Sequence, residues 1–263
     1  MPAPPTKRLY LSCLVVLFCC LSATPPLHRG GVKKKVLLVC TSNGTVNNAP
    51  NGTFLVELAA PVYLLNRAGY ALDIVSPKGG ALPIYHKGDT SQFLRQAVQT
   101  AVYKEKTKNS LLPEEIKIED YAAVIIPGGY GQFWDLQQHP MLLQKIAAIY
   151  ERGGMLGAIG HGNATLACLV LKDGTPLVKN KTLTCFPSWF EREYMAEANY
   201  GKALPFDMET RLKEYGAILL PVVKGQSGNE KQLDTANRLA TAAFANDADF
   251  VASAVIHWLE KSN

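Results

Sequence analysis

Short apolar runs recur along the chain at Val36–Val39, Ala71–Val75, Ala122–Ile126 and Met155–Ile159. A strand that is apolar at successive positions offers no face to water, so these runs predict strands covered on both sides. Between them the period changes. Phe54, Leu58, Val62 and Leu65 recur at helical spacing and predict a helix over 54–68 that stops at Gly69. The same reasoning predicts helices over 91–103, 140–152, 161–171 and 247–261, and strands near 182–185, 217–223 and 238–242. The polar stretch 104–113 reads as a surface loop. Alternating strands and helices place the chain in the α/β class, as one domain with a mostly parallel sheet and helices on both faces. Ligands bind such sheets at the carboxyl ends of the strands. That directs attention to the loops after residues 40, 76, 126 and 159.

The first residues depart from this pattern. Lys7 and Arg8 precede an apolar run from Leu9 to Leu21, then Ser22, Ala23, Pro25 and Pro26. This is the order of a secretory signal peptide, with cleavage expected near Ala23. The expected organisation is a signal peptide over 1–23, a linker over 24–35 and the folded domain over 36–263. The expected location is the secretory lumen or the cell exterior. The alternative is a membrane anchor through uncleaved residues 9–21, a run shorter than a comfortable bilayer span.

Loss of the leader removes Lys7 and Arg8 and lowers the formal charge from +5 to +3. The remaining charge is dispersed, with no basic block of the kind that grips nucleic acid. Once the leader is gone, no membrane contact is expected. Cys13, Cys19 and Cys20 leave with it, so Cys40, Cys168 and Cys185 remain, beside apolar residues and at no zinc-ligand spacing. They read as free buried thiols. Asn43, Asn51 and Asn180 stand in Asn-x-Ser/Thr sequons and are candidate glycan sites. A fourth sequon, at Asn163, falls in a tight turn that a glycan would not fit.

That turn is the most informative segment. Gly157-Ala158-Ile159-Gly160-His161-Gly162-Asn163-Ala164 joins a strand directly to a helix. A turn this sharp strains its central residue, and the helix that follows presents free N–H groups and positive potential. Enzymes place nucleophiles there, because the helix end favours a thiolate or a developing oxyanion.

Several stretches, in order, resemble one family. They are Glu57-Leu58-Ala59-Ala60-Pro61, Ser76-Pro77-Lys78-Gly79-Gly80, Pro127-Gly128-Gly129-Tyr130-Gly131 before Trp134-Asp135-Leu136, and Lys172-Asp173-Gly174-Thr175-Pro176-Leu177 after the elbow. The chain resembles the ThiJ/PfpI family, which includes the parkinsonism-associated deglycase, and is most similar to its chaperone and glyoxalase III branch. The resemblance implies a class I glutamine-amidotransferase-like, flavodoxin-like domain with a strand-to-helix elbow at Gly160.

The family's elbow reads Cys-His-Gly, whereas this chain reads Gly160-His161-Gly162. The family's activities depend on that thiolate, and glycine cannot form a covalent intermediate. By the same resemblance, Glu57 is the glutamate beside the nucleophile and His161 the family's histidine. Glu191 is the third, acidic member, with Glu193 as the alternative. The N–H groups of Gly129 and His161 form the oxyanion hole, and Tyr130 replaces a histidine common in relatives. Near residue 241 a polar family loop has become Thr241-Ala242-Ala243-Phe244-Ala245-Asn246.

These features imply a secreted, non-catalytic binding or regulatory protein. Its expected ligand is a small carbonyl or carboxylate compound, or a protein partner, without turnover. Two alternatives stay open. One is an active glyoxalase III-, deglycase- or hydrolase-like enzyme that acts on small carbonyl compounds without the cysteine. The other is a chaperone-like holding protein. A homodimer is expected from the resemblance. No cofactor or metal is expected: the histidines are scattered, and Gly128-Gly129-Tyr130-Gly131 is not a dinucleotide fingerprint.

Overall fold

The computed structural model describes residues 35–262 apart from 47, 89, 90 and 199–203. The signal peptide and all but the last residue of the linker lie outside the described residues. The central sheet is built from β1 (Lys35–Val39), β2 (Leu72–Val75), β3 (Tyr121–Ile126), β4 (Met155–Ile159), β5 (Lys231–Asp234) and β6 (Leu239–Ala242), in the order β5-β6-β4-β3-β1-β2. All neighbours pair parallel except β5 with β6, which are antiparallel.

The unbroken apolar character of β1 has a direct cause. Val36 and Leu38 enter one core with Leu58, Val62 and Leu65 of α1 (Leu55–Arg67). Val251 and Val255 of the carboxyl-terminal helix Ala248–Lys261 join that core. Leu37 and Val39 point the other way, into a second core with Leu142, Ile146 and Ile149 of the helix Pro140–Glu151. Successive side chains of a strand face opposite ways, so helices on both faces require both to be apolar.

Three expectations need correction. The helix predicted over 91–103 is two helices, α2 (Gln92–Gln99) and α3 (Ala101–Lys108), so the first half of the polar stretch 104–113 is helix and not loop. Thr100 breaks them apart. Its backbone is extended (φ −63°, ψ 145°), and its hydroxyl donates to Ala97 O and caps Tyr103 N. Tyr103 and Thr107 of α3 are buried, which holds the polar helix down. The helix predicted over 161–171 is a single short turn, Asn163–Leu166, after a 3₁₀ turn at Gly160–Gly162. The edge strand β5 and the helices Ser188–Ala198 and Met208–Glu214 were not predicted, because none carries a clean apolar period.

Candidate active site

The site forms where the loops after β1, β3 and β4 converge beside the start of α1. β4 ends extended at Ile159 (φ −129°, ψ 133°), and Gly160 then turns the chain at φ +52°. A side chain held at such a φ costs roughly 1–3 kcal/mol, which glycine avoids. The expected elbow is therefore present, with glycine at its strained position.

Glu57, the third residue of α1, reaches this elbow and is only 4% exposed. Its Oε2 accepts a hydrogen bond from Gly128 N at 2.5 Å. A Cβ placed on Gly160 would lie 2.7 Å from Glu57 Oε1, so the carboxylate occupies the space a larger residue would need. Burial raises the Glu57 carboxyl to about 7, against the opposing pull of His161 and of the Gly128 N–H.

His161 Nε2 lies 2.7 Å from Glu191 Oε2. Glu191 stands in the first turn of Ser188–Ala198 and is buried. The Tyr130 hydroxyl donates to its other oxygen, and the Tyr130 ring lies over the His161 ring with centroids 4.2 Å apart. Glu191 is thus the acidic neighbour of His161. Glu193, the alternative, is exposed and pairs with Lys224 at 2.6 Å. Gly129 sits at φ +117°, and a Cβ there would run into the Gly52 carbonyl, so that position admits only glycine.

Glu57, Gly129, Tyr130 and His161 border one cavity of about 260 Å³. The rest of its lining is mostly aromatic, Phe54, Tyr85, Phe186, Phe190 and Phe244, with Ala245 and Asn246 beside them. Phe54 and Tyr85 are brought together by parallel pairing of Thr53–Phe54 with Ile84–Tyr85. Phe186, Phe190 and Phe244 pack on one another with centroids 5.2–5.8 Å apart. Sequence reasoning noted Phe244 in an apolar loop but missed Phe54, Tyr85, Phe186 and Phe190 as walls. The spacing of Phe186 and Phe190, one helical turn apart, was the available signal.

None of the three described thiols borders this cavity. Cys40, just past β1, is fully buried, and burial pushes its thiol up to about 12. Cys168 reads from the sequence as a free buried thiol beyond the start of the elbow helix. It lies past that helix, half-buried, with its thiol donating to Ala164 O, and burial again raises its pKa. Burial also raises the Cys185 thiol. All three cysteines are free.

A profile of the DJ-1/PfpI family matches residues 46–204. The chain belongs to the DJ-1/PfpI family. Glutathione-independent glyoxalase HSP31 of Saccharomyces cerevisiae is 28% identical over 202 residues, covering 72% of this chain and 84% of that protein. Glyoxalase 3 of Candida albicans is 29% identical over 164 residues, 58% of this chain and 68% of that one. Among solved structures, the rapid encystment protein of 24 kDa from Francisella tularensis superposes with a TM-score of 0.75 at 28% identity, covering 86% of this chain and 99% of that one. Glyoxalase III of Candida albicans superposes with a TM-score of 0.69 at 22% identity, over 87% and 98% of the two chains, and shares the fold.

The same geometry bears on the sequons of this DJ-1/PfpI chain. Asn180 is exposed and Asn43 half-buried. Asn51, an expected glycan site, is buried, with neither side-chain amide atom hydrogen-bonded, so the folded chain has no room for a glycan there. The Asn163 nitrogen that a glycan would occupy donates instead to Gly160 O and Ala242 O.

Proposed function

We propose that this DJ-1/PfpI protein keeps the pocket of its glyoxalase III-type relatives and has lost their covalent thiol step, so that it binds a small carbonyl compound without turning it over. One observation carries the reading: the strained elbow position bordering Glu57 is Gly160, and no described cysteine reaches the cavity. The His161–Glu191–Tyr130 cluster supports retention of a shaped, polar end to the pocket. In this reading the N–H groups of Gly129 and His161 receive the ligand's carbonyl oxygen, since an oxyanion hole made of backbone needs no particular side chain. The proposal extends to export through the leader over 1–23 and to a homodimer.

The relatives favour a second reading, an active glyoxalase-type enzyme. Glu57 supports it, since a buried carboxyl that titrates near neutrality is suited to proton transfer. On a hydrated 2-oxoaldehyde, Glu57 would take the proton from C1 and return it to C2, which converts the hydrate to a 2-hydroxy acid with no bond to the protein.

The test is conversion of methylglyoxal to lactate by the purified chain. No lactate above a protein-free blank is expected. Turnover that disappears in His161→Ala would overturn the binding reading and establish the second one.

A further inference from the structure

We propose that the preferred carbonyl ligand also carries a positive charge: the cavity is a receptor for a small compound with an alkylammonium group. This deepens the binding reading, on which it rests for the use of this cavity, but it does not depend on the absence of turnover.

Three observations converge. The lining is largely aromatic: Phe54 and Tyr85 form one pair, and Phe186, Phe190 and Phe244 one cluster. The faces of such rings attract cations, by about 0.5–1 kcal/mol at exposed sites and about 2 or more where water is excluded. Glu57 borders the same space, 4% exposed, with Oε1 on the side of Gly160 where no Cβ intervenes. Finally, no Lys or Arg is among the described residues bordering the cavity. Among the described lining residues His161 is the one basic side chain, and Glu191 already holds its Nε2. With Glu191 backing His161, the carboxylates at this end outnumber the one imidazole, so a cationic ligand is favoured over a carboxylate. A small alkylammonium places its charge against Glu57 and its methyl groups against the rings.

The loss of a bulky residue at the elbow contributes directly. With glycine at 160, Glu57 Oε1 is not capped by a neighbouring side chain from that position. A family site built around a thiol and its glutamate thereby becomes one in which the glutamate itself meets the ligand.

The experiment compares three probes of one shape, namely choline, the neutral 3,3-dimethylbutan-1-ol and the anionic 3,3-dimethylbutanoate. Each is titrated calorimetrically into the full chain at low salt and about pH 8, where Glu57 is ionised. Choline should bind at least about tenfold tighter than the alcohol, and the carboxylate most weakly. Glu57→Gln should bring choline and the alcohol to within about threefold of each other, and Phe190→Leu should weaken choline more than the alcohol. Circular dichroism melts confirm that both variants are folded.

Choline binding should also strengthen as the pH rises through about 7. The other titratable groups facing Glu57 across the cavity are His161, backed by Glu191, and Tyr85 and Tyr130. His161→Gln separates its contribution from that of Glu57. If the alcohol or the carboxylate binds as tightly as choline, or if no probe binds, the inference is overturned. Those results leave the methylglyoxal test untouched, and turnover of methylglyoxal leaves a preference for choline intact.

Discussion

Replacing Glu57 by glutamine should stabilise this protein near pH 8 and leave its stability almost unchanged near pH 4. Glu57 is buried, and its carboxyl sits at about 7 in the folded chain against 4.5 in an unperturbed one. The cause is mainly desolvation of the charged form. Because the folded pKa is raised, the folded state binds more protons than the unfolded state between those two values. Stability from this group is therefore full below 4.5 and is lost as the pH rises through about 7. At roughly 1.4 kcal/mol per unit, the loss is about 3 kcal/mol in order of magnitude. Glutamine carries no charge to desolvate, and its carbonyl can still accept from Gly128 N, which now donates to Glu57 Oε2 at 2.5 Å. The difference between variant and wild type should open between 4.5 and about 7 and be complete above it. For a domain of this size, each 1 kcal/mol moves Tm by about 2–4 °C, so a gain of several degrees is expected. Thermal melts of both proteins over that pH range provide the assay. Other titrating groups are common to the pair, so the difference reports Glu57 and its coupling to His161. A variant that melts below wild type near pH 8, or a difference that does not vary with pH, would refute the reasoning.

Three further outcomes follow from the geometry. Gly160→Ala should cost about 1–3 kcal/mol in urea denaturation, from φ +52° and the 2.7 Å approach to Glu57 Oε1; an unchanged midpoint would contradict the tight elbow. Tyr130→Phe removes the hydroxyl that donates to buried Glu191, and should cost about 1–3 kcal/mol and shift the His161 ring resonances; unaffected resonances would mean that Glu191 does not hold the imidazole. Asp73 accepts from Lys35 at 3.0 Å, Lys106 at 3.1 Å and the Tyr121 hydroxyl. Burial works to raise its pKa, but the two lysines outweigh it and hold the carboxyl below its ordinary 3.8. Its stabilisation is present above 3.8 and fades as the pH falls below it. Because Lys35 is 41% exposed and screened by water, Asp73→Asn should cost only about 1 kcal/mol at neutral pH, with no difference in strong acid; an equal cost at both would point to packing instead.

The sequence by itself determined the layered α/β architecture. Val36–Val39 and Ala122–Ile126 are apolar at every position, and that pattern is stable only between two helical layers, whatever the rest of the chain does. It also determined the elbow, since Gly160-His161-Gly162 follows a buried strand without a spacer. The break at Thr100 was harder to read, because a threonine in a helical pattern becomes a cap only when its own backbone turns extended. The tertiary structure alone decided which of Glu191 and Glu193 lies beside His161. They are two residues apart on one helix, and only the packing of that helix against Tyr130 and His161 buries one and leaves the other in solvent with Lys224. It likewise decided the character of the cavity. Its aromatic walls come from five separated positions between Phe54 and Phe244, and no local pattern can report that these meet around one buried carboxylate. Local sequence sets strand and helix because those depend on neighbours a few residues away; a pocket depends on neighbours in space.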